Sequence, residues 1–189
     1  RGKARWVLAL ALPALALGFS WAVITEYVEH HVSFMGMTLN HVHVHAATPV
    51  FATVTCITVA VGMLFALRTA KVSELCGACI YGGGALGCMF AGDLLTLFVF
   101  WEIMTLGSTT MIWSGQQKDS EAAGLRYFGL HAVGGVLLLI GIVLLVAQRM
   151  NAGDANPLAF GHFSDMVQSW NTFGWHNAPL WLILVGMLI

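Results

Sequence analysis

Charge is what this 189-residue chain has least of: Lys, Arg, Asp and Glu together make up 9% of it, against roughly 25% in ordinary soluble domains. Proline is also scarce, with 4 residues, and so is cysteine, also with 4. Long polar stretches are missing, while 58% of the residues are hydrophobic and mean hydropathy is +0.80. A soluble domain of this length has too little interior to hide so much apolar surface, so the solvent for most of the chain is lipid. The net charge of −1 provides no basic field for nucleic acid, and that class of partner is excluded.

What is present is a series of apolar runs: residues 6–25, 49–67, 75–92, 94–113 and 125–147, followed by a shorter one over 179–189. The first five are near the length that a spanning helix needs, and in lipid the backbone must satisfy itself within a helix. The last is about half a span at 1.5 Å per residue. The chain therefore reads as an internal piece of a longer membrane protein: an all-α, polytopic transmembrane helix bundle, a single domain over residues 1–189 with about five complete spans, a truncated sixth and a short external hairpin. Arg1, Lys3 and Arg5 before the first run resemble the start of a signal peptide, but the run is too long for one and has no cleavage site before a soluble domain. The Lys and Arg of alternate connections (Arg1, Lys3, Arg5; Arg68, Lys71; Lys118, Arg126) fall on one side, and Arg149 alone on the other. The positive-inside rule then makes the N-terminal flank cytoplasmic and residues 26–48 external.

Two external segments are longer than turns. The period-2 alternation of Met37 to His45 predicts a strand or hairpin. Residues 148–178 read as a loop in which Phe163, Met166, Val167 and Trp170 line one side of a short interfacial helix. His41, His43 and His45 would share a strand face near His30 and His31 and are weak candidates for a zinc, copper or nickel site; no carboxylate or cysteine stands at ligand spacing, and a wetted hairpin face is the plainer reading. Cys76-x-x-Cys79 and the run Gly82 to Gly87 imitate redox and nucleotide-binding motifs, but both lie within an apolar helix and read as packing surfaces, with Gly83 and Gly87 as a helix contact. Asp93, at the corner before Leu94, reads as a helix N-cap.

One acidic residue breaks the pattern. Eight of the nine lie in connections or at span ends, whereas Glu102 sits near the middle of 94–113, where an ionised side chain costs about 2.5–3.5 kcal/mol on insertion scales. By default such a carboxylate is an ion or proton site; the plain alternative is a protonated acid bonded between helices. Thr105 and Thr109 lie about 60° and 20° from its direction around the helix, so hydroxyls run from it toward the cytoplasmic end as a candidate hydrated path. His131 is the histidine well inside a span, a candidate relay or interhelical donor, displaced from Glu102 in depth by roughly 7–8 Å at helical rise. Gly134 and Gly135 on its side allow a neighbouring backbone to approach.

The segments Gly92 to Met104, with Asp93-Leu94 leading to Leu97-Phe98 and Trp101-Glu102, and Leu125 to Gly135 resemble the proton-conducting antiporter family: the D-type component of Mrp cation/proton antiporters and the antiporter-like membrane subunits of respiratory complex I. The resemblance implies that Glu102 is the family's essential glutamate on its fifth helix, that one helix precedes Arg1, and that the external hairpin joins the second and third helices. It also implies a lysine partner on a seventh helix. No Lys lies in a span here, since Lys3, Lys71 and Lys118 are all in connections, and the expected place falls just past Ile189. The function expected is a proton-translocating membrane subunit, with sodium as the second candidate ion, working among other membrane subunits of a hetero-oligomeric complex and with no cofactor of its own. Its rivals are a redox-driven pump subunit of a complex I or hydrogenase type, a b-type haem subunit, which needs two facing histidines where only His131 qualifies, and a structural subunit without an ion path.

Overall fold

The computed structural model describes residues 5–27, 31–34, 37–115, 117–160 and 177–189. Among these residues six α-helices follow in order: α1 (Leu12–Thr25), α2 (Thr48–Ala66), α3 (Val72–Phe90), α4 (Leu94–Trp113), α5 (Ser120–Asn151) and α6 (Ala178–Leu188). Between α1 and α2 lies a hairpin of β1 (His31–Phe34) and β2 (Met37–Asn40). Each helix packs on the next in sequence, and α1 also reaches α3. α2, α3, α4 and α5 are long and apolar enough to cross a membrane, and α1 with the turn before it and α6 are shorter apolar helices. The protein is thus a polytopic helical membrane protein.

Most large apolar side chains point outward: Phe65 is 92% exposed and Phe19 72%. In lipid such surface needs no cover, and helix association rests instead on close packing of small residues. Between α3 and α4, a Cβ on Gly77 would lie 2.9 Å from the Gly107 carbonyl oxygen, and one on Gly84 would lie 2.9 Å from the Met104 nitrogen. Gly87 lies under the Phe100 ring and Gly82 under Val59 of α2. Gly83, expected to share a helix contact with Gly87, faces open space, because the α4 seam follows 77, 84 and 87 around the helix. Between α5 and α6, Gly134 and Gly141 meet the backbone of Gly186 and Ile183. Cys76 and Cys79 are not joined in a disulfide.

A π-helical turn, Val7–Ala11, leads into α1, and the Leu12 N–H donates to the Val7 carbonyl. Pro13 lies just beyond it and lacks the N–H that would have bonded Ala9, so the ladder widens there. Pro49 and Pro179 stand in the first turns of α2 and α6, where a missing N–H is harmless. α5 ends at Asn151, with Ala152 as its C-cap, because Gly153 turns left-handed (φ 80°). Arg5 donates to the Leu67 carbonyl at the end of α2.

The hairpin is antiparallel, pairing His31 with Asn40 and Phe34 with Met37. It ends sooner than the alternation of residue types implies: β2 stops at Asn40, and residues 41–45 leave the ladder. There the backbone bonds elsewhere, with the His43 N–H donating to Phe90 and the Gly92 N–H to Asn40. Residues 161–176, including the interfacial stripe expected over Phe163 to Trp170, lie outside the described residues, as does His30.

Candidate functional site

Asp93 fixes the start of α4. It is 1% exposed; one carboxylate oxygen accepts from the Thr96 N–H at 2.7 Å, and the other accepts from the Thr96 hydroxyl at 3.0 Å and the Asn40 N–H at 2.9 Å. The N-cap read from the sequence is present, and it also ties the hairpin to the helix. The Leu94 N–H donates to Leu158, and Arg149 of α5 holds the same segment through the carbonyls of Pro157 and Ala159. These contacts set the register of α4 against α5.

That register runs antiparallel. Gly124 lies under the Trp113 ring and Gly135 under the Glu102 carboxyl, and the Tyr127 hydroxyl meets Ser108 at 3.0 Å. By interpolation His131 is level with the turn at Thr105 and Leu106, displaced from Glu102 along the helix axis by about one turn, roughly 5–6 Å, less than the span ends imply. A Cβ at Gly135 would overlap Glu102 Oε1 and lie 3.0 Å from Cδ, so the carboxyl holds its present position only because residue 135 is glycine. Glu102 Oε1 and His131 Nδ1 are both buried without a hydrogen-bond partner. Two unsatisfied polar atoms on facing helices in an apolar bundle are costly unless they exchange protons or bind something polar.

The surroundings of Glu102 differ along the helix. Toward the N-terminus of α4, Leu94, Leu138 and Ile142 are buried together with Phe98, Trp101 and Ile183 packed on them, which closes that end with apolar groups. Toward the C-terminus come hydroxyls. Thr105 is 4% exposed and donates to the Trp101 carbonyl. Thr109 is 2% exposed, and its hydroxyl has no partner. Ser108, its hydroxyl within 3.0 Å of the carbonyls of Met104 and Thr105, completes the row. The structure therefore brings Glu102, His131, Thr105 and Thr109 to one interface. It adds Ser108 and Tyr127, neither of which the sequence singles out. Tyr127 is four residues before His131, the spacing that shares a helix face.

The remaining candidates lie apart, at the hairpin end of the bundle. His41 Nδ1 is 3.3 Å from the Thr96 hydroxyl. The His43 ring packs edge-on against Tyr27 and, at 4.3 Å between centroids, against His45. Among the described residues no group of three His, Cys, Asp or Glu side chains is placed to hold a metal ion.

Comparison with known proteins finds likeness centred on the same helices. A family described as NADH:quinone oxidoreductase/Mrp antiporter, TM, matches residues 91–189. A protein of Staphylococcus saprophyticus named as antiporter subunit mnhD2 is 34% identical over 82 residues, which cover 38% of this chain and 16% of that one. NADH-quinone oxidoreductase subunit N of Deinococcus radiodurans is 37% identical over 82 residues, 38% of this chain and 17% of the other. The chain thus covers about a sixth of the length of these relatives. A chain in the structure of the membrane-bound sulfane sulfur reductase, an archaeal respiratory membrane complex, superposes over 96% of this chain and 32% of its own length with TM-score 0.66 at 21% identity, a likeness of fold. Since the matched residues span more than half of the sequence, from just before the Asp93 cap through Glu102 to Ile189, the chain belongs to the NADH:quinone oxidoreductase/Mrp antiporter membrane family.

Proposed function

We propose that this chain forms part of a proton-translocating membrane subunit in which Glu102 is the proton carrier, exchanging protons for a cation such as sodium within a hetero-oligomeric membrane complex. The observation that carries the reading is the Glu102 carboxyl itself: mid-span, with a buried oxygen that has no partner, over a glycine and one turn from an equally unsatisfied imidazole. A carboxyl so placed gains by taking up a proton and gains again by giving it to a partner, which is what a carrier requires. Thr105, Ser108 and Thr109 give a polar approach from one end only, so access from the other end requires a partner from the rest of the subunit, which the resemblance supplies as a lysine on a later helix. His131 relays between that hydroxyl row and the carboxyl.

Relatives favour a second reading as well. The Deinococcus protein is named as a subunit of a quinone oxidoreductase, so the same carboxyl could serve a pump driven by a redox reaction elsewhere in a complex. Both are tested in everted vesicles holding the complete subunit and its complex, with a pH-gradient dye. Adding sodium should collapse the gradient for an antiporter, whereas only a redox substrate should build one for a pump. Glu102→Gln should abolish either signal. Full transport by that variant, in a normally assembled complex, would leave the chain a structural subunit.

A further inference from the structure

Tyr127 is held at both ends. Its ring lies against the His131 imidazole with centroids 4.1 Å apart and planes 31° apart. Its hydroxyl donates across the helix interface to Ser108 Oγ at 3.0 Å. The single proton of Ser108 is in turn committed to a carbonyl of its own helix, Met104 or Thr105, each at 3.0 Å. A chain of hydroxyls that ends on a backbone carbonyl passes no proton onward, so this arrangement is a fastener and not a wire. What it fastens is His131, whose Nδ1 has no hydrogen bond to orient it. Histidine rings at functional sites are ordinarily oriented by a bond to one nitrogen; here a ring face does that work, and the hydroxyl keeps the ring in place.

We infer that Tyr127 is a positioning residue for His131, locked to α4 through Ser108, so that the imidazole is held level with Thr105 and within electrostatic reach of Glu102. This rests on the proton-carrier reading of Glu102. Of the helices packed on α5, α4 presents Glu102 over Gly135, about one turn along from His131, and α6 brings Gly186 and Ile189 to the neighbouring turn, so Glu102 is the acidic group through which a change in His131 would be read.

The test uses the complete subunit in its complex, with dye-reported proton transport measured across a pH range and assembly checked for each variant. Tyr127→Phe and Ser108→Ala break the same hydrogen bond. Each should lower the maximal rate by roughly fivefold, the effect of one net hydrogen bond on an equilibrium, and each should move the midpoint of the pH profile by the same amount. The double variant should match either single one. In a His131→Gln background Tyr127→Phe should have no further effect; if that background is inactive, the equal midpoint shifts decide. Additive losses, or rates and profiles at the parental level, would overturn the inference. Full transport by Glu102→Gln would instead overturn the carrier reading beneath it.

Discussion

At the scale of single residues, Gly135 matters as much as the charge it faces. Any Cβ there meets Glu102 Oε1, yet that oxygen is the far end of a flexible side chain and can swing aside, so Gly135→Ala should fold and assemble. The carboxyl would move out of line with His131, and transport should fall about tenfold while thermal stability changes by less than about 1 kcal/mol, short of the 1–3 kcal/mol of true overpacking. Gly129→Ala, on the same helix but facing open space, is the control and should leave transport unchanged. Parental rates in Gly135→Ala would show that the position of the carboxyl is not tightly set. Glu102 itself was legible in the sequence because a charge in an apolar run is costly and demands an explanation, and Thr105 and Thr109 followed from helical angles. Tyr127 and Ser108 were not legible: an aromatic near a span end looks like an interfacial anchor, and a lone serine declares itself only once a partner helix sets the register. The histidine alternation of 41–45 misled in the opposite way, since backbone bonds to Phe90 and Asp93's grip on Asn40 end the strand early.

At the scale of elements, the start of α4 is the joint on which the site hangs. Asp93→Ala removes a helix cap, about 1 kcal/mol, and leaves the Asn40 N–H without its acceptor, about 1–3 kcal/mol more. Thermal unfolding of the purified protein in detergent should therefore show a loss of about 2–4 kcal/mol. Asp93→Asn keeps one acceptor oxygen for Thr96 and should lose less; equal losses would mean that the charge and not the cap is what counts. The helices themselves were largely legible, because lipid imposes both their length and their apolar character. Two boundaries were not. α5 begins at Ser120, ahead of the apolar run at 125, since its first turn is polar and emerges beyond the hydrophobic stretch. The first segment carries a π turn that hydropathy cannot register, although Pro13 is its visible cause.

At the scale of the whole molecule, consecutive helices packed in turn put the connections on two sides. On one lie the end of α2 with Arg5 on Leu67, and the link carrying Lys118 between α4 and α5. On the other lie the hairpin and the 154–160 segment, joined by the Thr38 hydroxyl on Asn156 at 2.6 Å. Arg5, Arg68, Lys71, Lys118 and Arg126 lie toward the first side, and the positive-inside rule predicts that this side faces the cytoplasm. With Cys56, Cys76, Cys79 and Cys88 replaced by serine or alanine, a single cysteine at Val32, itself 47% exposed, should react with a membrane-impermeant maleimide in intact cells. One at Lys118 should react only after the membrane is opened. The outcome decides more than topology, because the hydroxyls of Thr105, Ser108 and Thr109 lie between Glu102 and the Lys118 side, while Leu94, Leu138 and Ile142 close the hairpin side. Labelling in the expected order places the polar approach to Glu102 on the cytoplasmic side, so protons arriving from outside must reach the carboxyl through groups that the rest of the subunit contributes. The reverse order would open that approach to the exterior and invert the direction in which His131 relays.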